Sequence, residues 1–179
     1  MASAIAPLVV VMGVAGSGKS TVGKLLARSL RAEFLEGDAL HPPRNIERMA
    51  AGIALTDHDR RAWLLEIAQQ LADAHASRHA LVVSCSALKH AYRDTLRAAA
   101  SRLAFVHLDA GRELLEARFA ERVGHFMPGS LLESQLQTLE PPRADERAFT
   151  LDAALPPADI AARAAAWLAR PVAEPRGRK

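Results

Sequence analysis

The residues Gly13-Val14-Ala15-Gly16-Ser17-Gly18-Lys19-Ser20 follow the spacing G-x-x-x-x-G-K-S. Residue types in this order can hold phosphate. Glycines let the backbone curl until several N–H groups converge on one anion. A helix that starts at the loop adds the positive end of its dipole. Lys19 can then reach the β- and γ-phosphates of a nucleoside triphosphate, and the Ser20 hydroxyl can ligate Mg²⁺. With Thr21, which opens the helix, residues Gly13 to Thr21 form the candidate nucleotide-binding set. A second candidate is Glu36-Gly37-Asp38. Carboxylates at i and i+2 can face one side of a strand end, so that one helps to hold Mg²⁺ through water and the other accepts the proton of an attacking hydroxyl. Taken alone, Glu-Gly-Asp reads better as an ordinary acidic turn.

These groups need elements to carry them. The apolar run Leu8–Met12 before the glycines and the helical pattern to Leu30 after them supply the strand–loop–helix context that a P-loop requires. Strands are expected at Leu8–Met12, Glu33–Leu35, Ala80–Ser84, Leu103–Leu108 and Ala148–Leu151. Helices are expected at Lys19–Leu30, Pro43–Ala51, Arg60–Ser77, Lys89–Ala99, Arg112–Arg122, Ser130–Leu139 and Ala158–Leu168. Strands alternating with helices imply an α/β fold with a parallel sheet, and ligands of such sheets bind at the C-terminal strand edge, where Glu36 and Asp38 would lie. Thr56-Asp57-His58-Asp59 reads as a capping box for the third helix. Trp63, Leu64, Ile67 and Leu71 read as its core stripe. Gly124, Pro128 and Gly129 interrupt a helix pair, which places a mobile lid at about residues 122–137. Arg118 and Arg122 are i and i+4, on one helix face beside that lid. Either can swing onto phosphates, or the face can simply be solvated.

Bulk properties exclude several classes. A chain of 179 residues, half of them hydrophobic, suits one globular domain, read as residues 1–170. No apolar run reaches the length of a membrane span, and Met1–Pro7 lacks the basic region of a signal peptide. The single cysteine, Cys85, rules out an internal disulfide, fits a reducing cytoplasm, and reads as a small buried residue. The net charge of +3 owes much to Arg176, Arg178 and Lys179 in the segment 171–179, read as a disordered basic tail. With aromatics at 4%, a base-stacking surface is not expected. No N-K-x-D motif of guanine-specific switches is present. Strand Leu81-Val82-Val83 ends in Ser84-Cys85-Ser86, without the acid of motor ATPases. Asp109 can be such an acid, but reads better as the N-cap of the helix near Arg112. His58, His75, His79, His90 and His107 show no metal-ligand spacing.

Beyond Asp38 the chain resembles a known family. Gly37-Asp38-Ala39-Leu40-His41-Pro42-Pro43-Arg44-Asn45 matches G-D-x-x-H-P-x-x-N, and the stretch from Arg48 to Leu64 matches K-M-x-x-G-x-P-L-x-D-x-D-R-x-x-W-L. Cys85-Ser86-Ala87-Leu88-Lys89 with Tyr92-Arg93-Asp94, the segment Arg122 to Phe126, and Ser134 to Pro141 match further blocks. Together these resemble the gluconate kinase family of the small P-loop type, over about Val9 to Leu151. Departures are Glu36 where many members carry Asp, Arg48 where Lys is usual, and Ala54 in place of Pro.

The resemblance implies a P-loop kinase fold with a five-stranded sheet in the order 2-3-1-4-5, helices on both faces and a helical lid. It implies transfer of the γ-phosphoryl group of ATP to the 6-hydroxyl of D-gluconate, with Mg²⁺, in the cytoplasm, without nucleic acid or membrane partners. A homodimer is left open. Asp38, Lys19 and Arg122 become the expected catalytic groups, with Arg118 on the nucleotide and Ser20 and Glu36 at the metal. Asp38, His41, Arg48 and Lys89 become the expected sugar-acid contacts, with Arg48 the first choice for the carboxylate because guanidinium grips it bidentately. His41 can also merely shape the turn before Pro42. The rivals are another small-molecule kinase of this fold, shikimate-like or acting on nucleoside monophosphates, and a non-catalytic ATP-binding module. A nucleic-acid end kinase would rest on the basic tail alone.

Overall fold

Every side chain of Leu8–Met12 is buried, as a strand covered on both faces requires. This strand, β1, is the centre of a parallel sheet. The computed structural model describes residues 6–121 and 129–170. Around β1 lie β2 (Glu33–Glu36), β3 (Leu81–Ser84), β4 (Ala104–Asp109) and β5 (Ala148–Asp152), in the order β2-β3-β1-β4-β5. All four pairings are parallel, which is the arrangement expected from the alternation of elements. The helices are α1 (Lys19–Leu30), α2 (Pro43–Ala50), α3 (Asp57–Ala76), α4 (His90–Ala99), α5 (Arg112–Glu121), α6 (Gly129–Thr138) and α7 (Pro157–Leu168).

The alternation of β1 divides the core in two. Leu8, Val10 and Met12 meet Trp63, Ile67 and Leu71 of α3 and Leu96 of α4. Val9 and Val11 meet Val22 and Leu26 of α1 and Ile160 and Ala164 of α7. Full burial of such side chains contributes about 1.5–3 kcal/mol each, so the sheet is clamped from both sides. The P-loop emerges from the C-terminal end of its most buried strand.

Two expectations change. The third helix starts at Asp57 rather than Arg60, because Thr56 is itself the N-cap. Asp59 N–H donates to Thr56 Oγ1 at 3.2 Å and Thr56 N–H donates to Asp59 Oδ2 at 2.9 Å, a reciprocal box that brings three more residues into the helix. Asp109 does not begin α5. It ends β4, and the carbonyl of Gly111 accepts the first turn's N–H from Leu115. Of the expected lid, residues 122–128, with Arg122, lie outside the described residues, and α6 covers the rest. Residues 171–179 are outside them too.

Candidate active site

The P-loop turns on Gly18, the N-cap of α1, whose φ of 100° is a left-handed conformation that side chains disfavour. Lys19 Nζ folds back and donates to the Val14 carbonyl at 3.0 Å. Ala15, Gly16, Gly18, Lys19, Ser20 and Thr21 line a cleft of about 440 Å³. Asp38, His41 and Ser86 line it too, with Leu55 just before α3, Arg60 in the first turn of α3, and Phe119 and Gln135 from α5 and α6. Gly13, Val14 and Ser17 of the loop do not line it.

Asp38 is positioned through the residue before it. Gly37 N–H donates to Ser84 Oγ at 3.2 Å, and Trp63 Nε1 donates to the Gly37 carbonyl at 2.7 Å. Trp63 belongs to the core layer and Ser84 is buried at the end of β3, so the backbone entering the short 3-10 turn Gly37–Leu40 is held from two sides. No side chain fits at Gly37, because a Cβ would lie 2.1 Å from the Ser84 carbonyl oxygen. Gly37→Ala is expected to destabilise by about 1–3 kcal/mol as overpacking and to displace Asp38. Thermal unfolding beside kcat checks both; a variant matching the parent in both would show that the turn tolerates the change. Ser84 Oγ also donates to the Glu36 carboxylate, so Glu36 is tied to β3 beneath the cleft.

His41 is buried and stacked on Trp63, with ring centroids 4.2 Å apart. Asn45 Nδ2 approaches His41 Nδ1 at 3.3 Å and donates to the Asp59 carbonyl at 2.8 Å. An amide NH₂ only donates, so His41 Nδ1 must be bare and Nε2 carries the proton. Burial holds the imidazole below its ordinary pKa, the nearby Asp38 opposes this, and Arg60 adds to it. His41 is therefore a neutral donor at the wall of the cleft. Burial likewise pushes the Cys85 thiol up to about 12, which leaves it an inert core residue.

The other expected residues are placed as follows. Arg118 Nη1 donates to the carbonyls of Gly16 and Ser17 at 3.0 and 2.9 Å, and Nη2 donates to Ala153 at 2.6 Å. It splints the P-loop to the segment after β5. Arg48 Nε lies 3.7 Å from Asp59, and Lys89 Nζ donates to both oxygens of Asp57 at 2.7 and 2.8 Å. The hydrogen bonds from Lys89 and then from Tyr92 hold the Asp57 carboxyl below the usual carboxylate range. Lys89 thus pins the first turn of α3, Arg48 makes only a looser ion pair with it, and neither lines the cleft. Among the described residues the cations that do are Lys19 and Arg60.

Sequence reasoning missed Arg60, Ser86 and Gln135. Gln135 Oε1 accepts the P-loop N–H of Ala15 at 2.7 Å, so α6 touches the phosphate cradle directly. Each lies inside a sequence block matched above, but its neighbours looked like helix surface or loop. The blocks also dock on one another. Glu140 N–H donates to the Leu88 carbonyl at 2.8 Å, and Glu140 Oε2 accepts the N–H of His90 at 2.7 Å, which caps α4.

For a metal, the fit is of one kind. Among the described residues no group of three His, Cys, Asp or Glu side chains could hold an ion alone. Ser20 and Asp38 do share the cleft with the phosphate-binding loop. This donor set suits Mg²⁺, which keeps several waters and takes few protein ligands beside substrate phosphates.

A protein-family model described as an AAA domain matches residues 8–142. A gluconokinase from Gluconobacter oxydans is 50% identical over 137 residues, covering 76% of this chain and 77% of that protein. The thermosensitive gluconokinase of Escherichia coli is 43% identical, over 77% of this chain and 74% of that one. The crystal structure of a gluconokinase from Sinorhizobium meliloti superimposes with a TM-score of 0.84 at 52% identity, over 92% of this chain and 93% of that one. No described helix is long and apolar enough to cross a membrane. With the P-loop, the Asp38 turn and the block around Cys85 gathered at one sheet edge, and with this identity across the domain, the chain belongs to the gluconokinase family.

Proposed function

We propose that this protein transfers the γ-phosphoryl group of ATP to the 6-hydroxyl of D-gluconate, giving 6-phospho-D-gluconate and ADP. The observation that carries the reading is that Asp38 and the P-loop line a single cleft. A loose phosphoryl transition state needs positioning and positive charge more than covalent chemistry. Lys19 and the loop N–H groups supply charge to the phosphates. Asp38 accepts the proton as the hydroxyl oxygen bonds to phosphorus and the bond to the ADP oxygen breaks. His41 Nε2–H is a donor for a substrate hydroxyl. Ser20 would hold Mg²⁺ through its hydroxyl, and Glu36 would help through water. When bound, that ion neutralises charge on the phosphate oxygens. The setting is the cytoplasm, where ATP is supplied and a free buried cysteine persists; nucleic acid and membranes have no part in the reading.

The test is coupled ADP release with Mg²⁺ and ATP over a panel of sugar acids, shikimate and nucleoside monophosphates. D-gluconate is expected to raise ADP release far above the ATP-only rate. A gluconate rate equal to that background would sink the proposal, and a faster rate with shikimate or a nucleotide would move the protein to a rival kinase class.

A further inference from the structure

The geometry points to Arg60 as the group that binds the carboxylate of the sugar acid and so fixes which end of the substrate meets ATP. This rests on the reading above that the substrate is D-gluconate. Arg60 stands in the first turn of α3, half-buried, and lines the cleft with Asp38 and His41. It is three residues before Trp63, on the helix face that stacks His41, so its side chain shares the wall that holds the imidazole. Its charge is felt at His41, at Asp57 and at Cys85.

The state of the surrounding cations singles it out. Arg48 is paired with Asp59, Lys89 with Asp57, Arg93 with Glu146, and Arg118 with backbone carbonyls. Lys19 is engaged in the P-loop. Among the described residues no carboxylate lies within ion-pair distance of Arg60. A half-buried guanidinium without an anion is a costly arrangement, and one in the first turn of a helix also opposes the helix dipole. Local rules broken together in a cleft mark a group kept for a ligand. A bidentate carboxylate is the ligand that guanidinium suits best. Asp38 completes the argument from the other side. A sugar acid bound backwards would bring its carboxylate against the Asp38 carboxylate, so the two side chains together admit one orientation, with the far hydroxyl at Asp38.

The test compares Arg60→Ala, Arg60→Gln and Arg60→Lys with the parent in steady-state kinetics, with ATP titration and thermal unfolding as fold checks. Loss of two charge-assisted hydrogen bonds to the ground state and transition state alike is expected to raise the gluconate KM about 100-fold for Ala and Gln, with kcat at saturation and the KM for ATP within about threefold. Lys keeps the charge without the fork and should fall between. D-glucitol carries a hydroxymethyl group where gluconate has its carboxylate. As a competitor of gluconate it should bind parent and Arg60→Ala equally. An unchanged gluconate KM overturns the assignment. So does a fall in kcat at unchanged KM, which would put Arg60 on the transferred phosphoryl group. If Arg60→Ala fails the fold checks, the Gln and Lys variants carry the same criteria. A parent protein inactive on gluconate would instead overturn the proposed function itself.

Discussion

Asp38→Asn is expected to lower kcat for gluconate phosphorylation by about 10²–10⁴-fold, the usual cost of losing a general base, while the ATP dissociation constant stays near that of the parent. Asn keeps the shape and removes both charge and basicity. The backbone that aims this residue is held at Gly37 by Ser84 and Trp63, so the substituted side chain stays in place. No described side chain makes an ion pair or hydrogen bond with the Asp38 carboxylate, which leaves it free to accept a proton. Lys19→Ala is the contrast. It removes positive charge from the phosphates and should weaken ATP binding directly. The measurement is kcat beside the ATP dissociation constant for both variants. A near-parent kcat for Asp38→Asn would move the base elsewhere, and loss of ATP binding would make Asp38 a metal-linked group, with Glu36 next to be tested.

Glu146→Gln is expected to lower stability by about 3–5 kcal/mol, because it leaves a buried guanidinium without its anion. The Arg93 side chain is 0% exposed and that of Glu146 1%. Arg93 Nε and Nη2 donate to the two Glu146 oxygens at 2.6 and 2.9 Å, and Arg97 Nη1 adds a bond at 2.6 Å. Arg93 Nη1 also donates to the carbonyls of Ala87 and Leu88, at 3.0 and 3.3 Å. The cluster therefore fixes the loop that carries Ser86 into the cleft. At about 2–4 °C per kcal/mol for a chain of this size, the melting temperature should fall by roughly 6–20 °C. A fall of less than 2 °C would show that the pair is dispensable. Replacing both partners with apolar residues, as in Arg93→Met with Glu146→Leu, should recover part of the loss.

The same cluster sets an acid limit. Burial alone would raise the Glu146 carboxyl, but hydrogen bonds from Arg93, Arg143 N–H, His90 and Arg97 outweigh it and hold it far below its unperturbed value of 4.5. A depressed native pKa contributes stability that is fully present above the unfolded value and is lost as pH falls through it toward the native value. Stability measured by denaturant titration should therefore drop below about pH 4.5, and less steeply in Glu146→Gln. Parallel profiles would remove Glu146 as the cause.

By itself the sequence determined the elements, the sheet and the phosphate site. Leu8–Met12 is apolar at every position, and only a central parallel strand buries both faces. G-x-x-x-x-G-K-S has its chemistry in the backbone, so local spacing suffices to read it. The order of the strands follows from the alternation of elements, right-handed crossovers and the family blocks. What only the tertiary structure decided is which partners the cations meet. Arg48, Arg60, Lys89 and Arg118 are alike as letters and each sits beside a helix end. Their partners come from elsewhere: Asp57 is 32 residues from Lys89, and the Gly16 carbonyl is 102 residues from Arg118. A charge that finds an acid or a carbonyl in the folded chain helps to hold the fold. One that finds none among the described residues, as Arg60 does, is the one proposed for the substrate. That difference is a matter of distance between remote segments, which periodicity and motif spacing do not encode.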